Sequence, residues 1–540
     1  MGTMKKAIAL LLACMLMIGI FAGCSSQDAG NSEKNDQQTQ PAAASGKEDE
    51  AVAVAGPVEL TVGSAMAWET LTPFRNNRVW NIIYSRMLYD SLAWRIAGGE
   101  VVPVAAKSWE VEQDGVTWNV EIYDYITDSA GNHITADDIV WFIEESMKRA
   151  QKPIFNQVES VEKTGEYTFK VVMKQDMYGA FDSVLLGTFV VSKASFESDP
   201  DGFVSNVISS APYKVTDFVS GSQIVLEKRD DYWQKEELIP DGLACNVDKF
   251  TMKYIAEASQ QQIALETGEV DGFLAITQSL LPAFDENEYT IVGRPSISGT
   301  ILRFSGHKSR AISTDVNLRK AIAYAIDENA LIQGVYAGQA DPMYGPESAG
   351  TVGFQDAWME EENYNYNPEL AKEYLAKSNY SGETLELLAS SSTVNDRMGA
   401  MIQSYLGEIG VTLKLNIVDR ALYTASGFDG SAFDMVIFNP GNADLANRWQ
   451  SAWDITSYPD GDASGRNDTE LYAMLCEAWS NAGFGDENIN KIHDYLMENL
   501  YDYGMLQPNQ CDIYRNTVGV SKEVYLFGGC LDFIACEYGK

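Results

Sequence analysis

Three histidines, His133, His307 and His493, are the whole supply of imidazole in 540 residues, and they lie far apart in the chain. Imidazole is the usual general base and a frequent zinc ligand, so catalysis or metal binding built on histidine has little to work with. His133 falls in a loop ahead of a capped helix, His307 beside Lys308 and Ser309, and His493 in a helical pattern. Each reads as an ordinary polar or packed side chain. Seven cysteines offer thiol chemistry. Beyond Cys14 and Cys24 they are Cys245, Cys476, Cys511, Cys530 and Cys536, an odd set with no Cys-x-x-Cys pair. That supports neither a zinc ribbon nor a dithiol redox motif. Cys530 and Cys536 read equally as a bridge formed in an oxidising compartment or as free buried thiols. No Gly-x-Ser-x-Gly elbow, His-Glu-x-x-His pair or P-loop occurs. The chemistry open to this chain is therefore binding: no catalytic residue, no metal ligand set and no cofactor is expected.

One cysteine has a special context. Lys5 and Lys6 precede an apolar run from Ala7 to Phe21, and Ala22-Gly23-Cys24 ends it. The run is about 15 residues, short of the ~20 that a membrane span needs, and has the charge and small-residue exit of a secretory leader. Phe21-Ala22-Gly23-Cys24 resembles a bacterial lipobox, with Phe21 where Leu is usual. The resemblance implies that residues 1–23 are a removed leader and that the Cys24 sulfur carries a diacylglycerol. An ordinary secretory leader is the alternative. Residues 24–56 are small, polar and free of aromatics, so they cannot bury enough surface to order themselves. They read as a disordered tether with a root-mean-square span of about 30 Å, holding a body off the outer face of a cell membrane.

Past the tether about 480 residues remain, a length for two to four domains. Apolar residues are 45% and aromatics 11%, ample for real cores. The formal charge is −38, and loss of Lys5 and Lys6 with the leader takes it to −40. Such a body repels nucleic acid and anionic lipid, which excludes DNA and RNA as partners.

The elements that must position any binding group alternate between strand and helix. Val58 to Val62 is strand-like, and a helical pattern runs around Val79 to Leu92. Trp118, Val120 and Ile122 alternate with polar residues after the turn signal Asp114-Gly115. Thr135-Ala136-Asp137-Asp138 is a capping-box variant opening a helix whose face carries Ile139, Phe142, Ile143 and Met147. Residues 210–234 read as a hairpin turning at Gly221-Ser222, and Gly268 stops the helix before a strand. Leu318, Ala321, Ile322, Ala325 and Ile326 form one helical stripe, Asp327 restarts a helix ending at Gly338, and Pro368 opens another. Residues 398–418 read helix, Gly410 cap, strand. The class is a multi-domain α/β or α+β chain.

The order of these motifs is distinctive: Pro103 to Trp109, the Trp118 strand, "TADDIV", "APYKV…DYW", "ALETGEVDG", "NLRKAIAYAIDENALIQGVYAGQADP" and "LGEIGVTLKL". The series resembles the bacterial extracellular solute-binding proteins of the oligopeptide/dipeptide/nickel type that serve ABC importers, over roughly residues 58–525. Ala211 stands where the family usually has Gly, and "NVEIYDYI" replaces a Phe-x-Leu-Arg strand. The resemblance implies an α/β fold of the two-lobed periplasmic-binding-protein type (type II, cluster C) with an extra small domain. The first lobe would be residues 57–98, 214–296 and 511–540, the small domain 99–213 and the second lobe 297–510. Closure on a solute would present the receptor, as a monomer, to a permease.

For the ligand, peptide-binding relatives hold an α-ammonium with an aspartate in a Trp-x-x-Asp-x-x-Asp-Pro segment. The matching stretch is "VIFNPGNADLANRW", 436–449, with Phe438 at the Trp place, Gly441 at the first Asp and Asp444 at the second. The resemblance therefore nominates Asp444, with Phe438 and Asn439 beside it, for an amine-bearing ligand. The alternative for Asp444 is the cap of a helix starting at Leu445. The loop 64–74 nominates Trp68 and Glu69, Trp68 reading equally as core. Arg448 is a candidate for a ligand carboxylate, with a surface ion pair as the alternative. Peptide is the leading solute. A metal chelate, an opine or a sugar, or a sensor role, are the other readings.

Overall fold

The strand expected near Val58 forms as Glu59–Ser64, and it is central, with Lys249–Tyr254 and Gly272–Leu274 parallel on either side. Gly63 is required there: a Cβ would come within 2.2 Å of the Phe273 ring. The computed structural model describes residues 56–66, 68–74, 85–149, 153–240, 242–360, 364–441 and 443–539. The leader, Cys24 and the tether through residue 55 lie outside the described residues, as does the first part of the helix expected over 79–92, of which 85–88 are helical.

Twelve strands among the described residues join into one sheet. From one edge ten of them run in the order Thr412–Val418, Thr384–Ser390, Met435–Phe438, Thr300–Phe304, Asp502–Arg515, Gly272–Leu274, Glu59–Ser64, Lys249–Tyr254, Gln223–Lys228 and Tyr213–Val219, and the other two, Tyr289–Pro295 and Ala340–Pro342, pair with Asp502–Arg515 off this path. The fourteen-residue strand Asp502–Arg515 is shared. Residues 502–506 pair with Thr300–Phe304, while 509–515 pair with Tyr289–Pro295 and 511–514 lie against Gly272–Leu274 and its continuation. Pro508 sits at the changeover, opposite Ala340. A proline has no N–H to give a ladder, so it is tolerated where the strand exchanges one set of neighbours for another. The boundary expected between residues 510 and 511 falls inside this strand.

A separate antiparallel sheet orders Ala106–Val111, Thr117–Ile122, Thr168–Met173 and Val158–Lys163. Helix Ala136–Arg149 packs on it, burying Ile139, Phe142 and Ile143. Its entry is held as expected, the Thr135 N–H donating to Asp138 Oδ2 at 3.0 Å. Gly268 ends helix Ala258–Thr267 at φ 74°, and Asn367 and Pro368 open Pro368–Lys377. Asp327 caps Glu328–Tyr336, but this helix stops short of Gly338 because Ala337 already takes φ 52°. A second apolar core lies under Thr300–Phe304, Thr384–Ser390 and Met435–Phe438, filled by Leu318, Ile322, Met398 and Ile402. Cys530 and Cys536 are both free thiols. No helix among the described residues is long and apolar enough to cross a membrane.

Candidate functional site

Two strands run out at the same place. Gly272–Leu274 ends at Ala275, and Met435–Phe438 ends at Asn439. Each is parallel to a neighbour, Glu59–Ser64 and Thr384–Ser390 respectively. A cavity of about 430 Å³ opens at these carboxyl ends, the position where α/β sheets commonly take ligands. Its walls include Ala275, Gln278, Ser298, Asn439, Asn509 and Gln510, and so come from both sides of the shared strand. Ala275 has a left-handed backbone, φ 50°. Its N–H is pinned by Asp512 Oδ1 at 2.8 Å, while Asp512 Oδ2 accepts from Leu531 N at 2.6 Å. Gln278 donates to the Asn509 carbonyl at 2.7 Å, and Asn439 Nδ2 to Thr300 Oγ1 at 2.7 Å. Gly441 pairs with Ser298, one of the lining residues. Amides, hydroxyls and backbone groups make this wall a hydrogen-bonding surface without formal charge among its described residues.

The segment that leaves Asn439 continues to a second cavity of about 490 Å³, lined by Gln157, Ser183, Asp444, Asn447, Gln450 and Ser457 among others. Asp444 is 1% exposed. It caps helix Leu445–Trp453, Oδ1 accepting from Asn447 N at 2.8 Å and Oδ2 from Asn447 Nδ2 at 2.8 Å. Burial pushes its carboxyl above the ordinary value, opposed by the two Asn447 contacts. No described cation forms an ion pair with it. The cap anticipated as the alternative for Asp444 is thus its observed contact, and the carboxylate also borders a cavity.

Arg448 is not the surface ion pair offered as an alternative. Its side chain is 5% exposed and its Nη2 donates to Asp502 Oδ2 at 2.9 Å. Arg303 Nε and Nη2 hold the same carboxylate at 2.9 Å each. The Arg303 guanidinium lies 4.8 Å from the Phe438 ring and the Arg448 guanidinium 5.0 Å from the Trp453 ring. Phe438 is thus half-buried over this cluster. Trp68 is 8% exposed in the core of the other half, and its carbonyl accepts from Gly221 N at 3.0 Å. Glu69 is exposed, and its carbonyl accepts from Ser220 Oγ. Neither Trp68 nor Glu69 lines either of the two cavities. The fold brings Asn439 and Asp444 to adjacent cavities and leaves Trp68, Glu69 and Arg448 away from them.

The histidines stay apart. His493 is fully buried, stacked on Trp358 at 3.9 Å with Nδ1 3.5 Å from Glu347 Oε2. His133 Nε2 meets Tyr167 Oη at 3.1 Å and His307 Nδ1 meets Ser309 Oγ at 2.6 Å. Among the described residues no three His, Cys, Asp or Glu side chains are grouped to hold a metal.

Gln278, Ser298, Asn509, Gln510, Gln157 and Ser183 were missed by sequence reasoning. They are single neutral residues at strand ends and loops, and only the pairing across Asp502–Arg515 gathers the first four. Ala275 carries no sequence signal for a positive φ, which belongs to glycine by preference.

Residues 100–459, two thirds of the chain, match the model for bacterial extracellular solute-binding proteins, family 5, middle segment. The probable D,D-dipeptide-binding periplasmic protein DdpA of Escherichia coli is 25% identical over 377 residues, 67% of this chain and 70% of its own. The fold is similar to that of AppA, the oligopeptide-binding protein of Bacillus subtilis solved with a nonapeptide, at TM-score 0.69 and 19% identity over 90% of this chain and 100% of AppA. It is also similar to NikA of Brucella suis, solved with Fe(III)-EDTA, at TM-score 0.72 and 19% identity over 86% and 97% of the two chains. The architecture is the two-lobed, type II periplasmic-binding-protein fold. The chain belongs to the bacterial extracellular solute-binding proteins of family 5.

Proposed function

We propose that this protein is the extracytoplasmic receptor of an ABC importer, that it takes up a peptide between its two lobes, and that it makes or breaks no bond. The cavity at the shared strand carries this reading, because its wall is drawn from both sides of Asp502–Arg515 and offers backbone, amide and hydroxyl groups. A peptide backbone needs such partners at every residue. The likeness to DdpA, a probable D,D-dipeptide-binding protein, and to AppA, an oligopeptide-binding protein, supports the same class. In the domain ranges we propose, 57–98, 214–296 and 511–540 form one lobe, 99–213 the small domain and 297–510 the other. We assign the ligand's ammonium to Asp444, a buried carboxylate with no described ion-pair partner at the wall of the second cavity. Cys24, lipid-modified, would tether the monomer to the outer face of the cell membrane, beside its permease.

Mass spectrometry of small molecules released on denaturing the purified protein tests the solute class. Peptides are expected, and a metal chelate, opine or sugar in their place would overturn the peptide reading. Calorimetry with a peptide pool tests Asp444. Asparagine caps a helix as well as aspartate, so Asp444→Asn removes charge and keeps the cap. Binding should weaken by about 10- to 150-fold, the worth of one charge-assisted hydrogen bond. Unchanged affinity would return Asp444 to the role of cap alone.

A further inference from the structure

Asp444 is buried by a turn from a distant part of the chain. Gly179 packs directly on it: a Cβ at Gly179 would lie 2.8 Å from Asp444 Oδ2, and φ there is 69°. The residues before Gly179 meet the turn that follows helix Thr469–Ala478. The Tyr178 ring stacks on Phe484 with centroids 3.8 Å apart and planes at 14°. The Tyr178 N–H donates to the Trp479 carbonyl at 2.6 Å, and the Asn481 N–H to Asp176 Oδ1 at 3.1 Å. Residues 176–179 and 480–484 belong to no helix or strand, and Tyr178 and Phe484 are each only half-buried. Across the junction the two turns touch through one ring pair and a few hydrogen bonds, while Met177, between Asp176 and Tyr178, is 4% exposed and packed in the apolar core. Contacts of this kind open at a small fraction of the cost of global unfolding. Ser183, four residues beyond Gly179 on helix Ala180–Gly187, lines the cavity that Asp444 borders, so lifting this turn would uncover the carboxylate at the edge of that cavity.

We propose that Asp176–Gly179 is a detachable clasp on the Asp444 carboxylate at the edge of its cavity, latched by Tyr178 on Phe484, which opens without parting the strands at Asp502–Arg515. Its purpose, controlling how long a ligand is retained, rests on the reading of that cavity as a ligand compartment. The stack matters because it is the one aromatic contact across this junction among the described residues of the two turns, and an aromatic pair outweighs a single exposed hydrogen bond. Gly179 matters because no larger residue fits between the turn and the carboxylate.

Hydrogen exchange on the full-length, ligand-free protein tests the clasp itself. The amides of Tyr178 and Asn481 should exchange together and faster than that of Leu302, which is fully buried in the central strand Thr300–Phe304. Tyr178→Ala and Phe484→Ala should each accelerate that joint exchange about 3- to 10-fold, the equivalent of losing one stacked pair. Phe484 also abuts Gly353 on its own side, so Tyr178→Ala, from the opposite side, guards against a merely local defect. Carbodiimide coupling of glycine ethyl ester, read by mass spectrometry, should label Asp444 more in both variants by a similar factor, with Asp502 unlabelled as the check against unfolding. Exchange of Tyr178 and Asn481 at the rate of Leu302, or equal Asp444 labelling in wild type and both variants, overturns the proposal. A peptide pool supplies a separate arm: bound peptide should dissociate faster from Tyr178→Ala, and equal dissociation would overturn the gating role. If wild type binds no peptide from the pool, the peptide reading fails while exchange and labelling still decide the clasp.

Discussion

Asp502 is the centre of the buried charge in the second half of the sheet, and Asp502→Asn is the most direct test of how that half is held. The carboxylate is 1% exposed and accepts three N–H groups, two from Arg303 and one from Arg448, all at 2.9 Å. Burial alone would raise its carboxyl, yet the two guanidiniums outweigh burial and hold it below the ordinary value. Asparagine keeps the shape but leaves two buried cations without their counter-charge. At an effective dielectric of about 20, each charge pair at about 4 Å contributes roughly 4 kcal/mol of attraction. Desolvation offsets part of this, and breaking one partner of a buried pair costs about 3–5 kcal/mol. With a urea dependence of about 2.5 kcal/mol per molar, the unfolding midpoint should fall by about 1–2 M. Arg448→Met should cost less, because Asp502 keeps its two-point contact with Arg303. The double variant should cost less than the two single variants together by about 1–3 kcal/mol, since the groups share one network. Urea unfolding followed by circular dichroism and tryptophan fluorescence measures all three. A cost for Asp502→Asn under about 1 kcal/mol would refute the buried-network argument. So would an Arg448→Met that weakens peptide binding and leaves unfolding untouched, because Arg448 would then be a ligand group.

Stability should fall as pH rises from about 5 to 7.5. Burial lifts Asp90 and Asp512 to about 6 and Glu328 to about 7, against unfolded values near 4, so the native state keeps protons there that the unfolded chain has released. The large negative charge acts in the same direction, and thermal melts that stay flat or rise over this range would contradict the assignment. Gly179→Ala should destabilise by about 1–2 kcal/mol, from its left-handed backbone and the crowding against Asp444; denaturant unfolding with no loss would show that the turn can rearrange. Ala275→Gly should stabilise by about 0.5–1 kcal/mol by relieving the left-handed backbone at the first cavity, again read by denaturant unfolding. Cys24→Ser should abolish fatty-acid labelling and release the protein from cells; wild-type protein found mainly in the medium without lipid would remove the anchor.

Local patterns in the sequence were enough for the elements whose causes are local. The Thr135 cap, the Gly268 stop, the Asn367-Pro368 start and the Gly221 turn each depend on residues within four positions of one another, and each forms as expected. The ordered series of motifs was also enough for the family. The cap at Asp444 was visible for the same reason, since its partner is Asn447.

The fate of Arg448 was not visible, whereas the core reading offered for Trp68 is where the structure places it. Arg448 looked like a surface or ligand cation because its partner lies 54 residues away and the third member, Arg303, pairs with Asp502 across 199. Long-range pairing turns a charge that sequence reads as solvated into one that is enclosed, and no periodicity encodes that. The first cavity has the same origin. Ala275, Ser298, Asn439 and Gln510 are unremarkable singly, and they share a wall only because one strand, Asp502–Arg515, hydrogen-bonds to both halves of the sheet. The sequence by itself determined the local elements, their caps and the family. Tertiary structure alone decided which charges are enclosed and which polar groups face a common space, because both depend on the register of strands hundreds of residues apart.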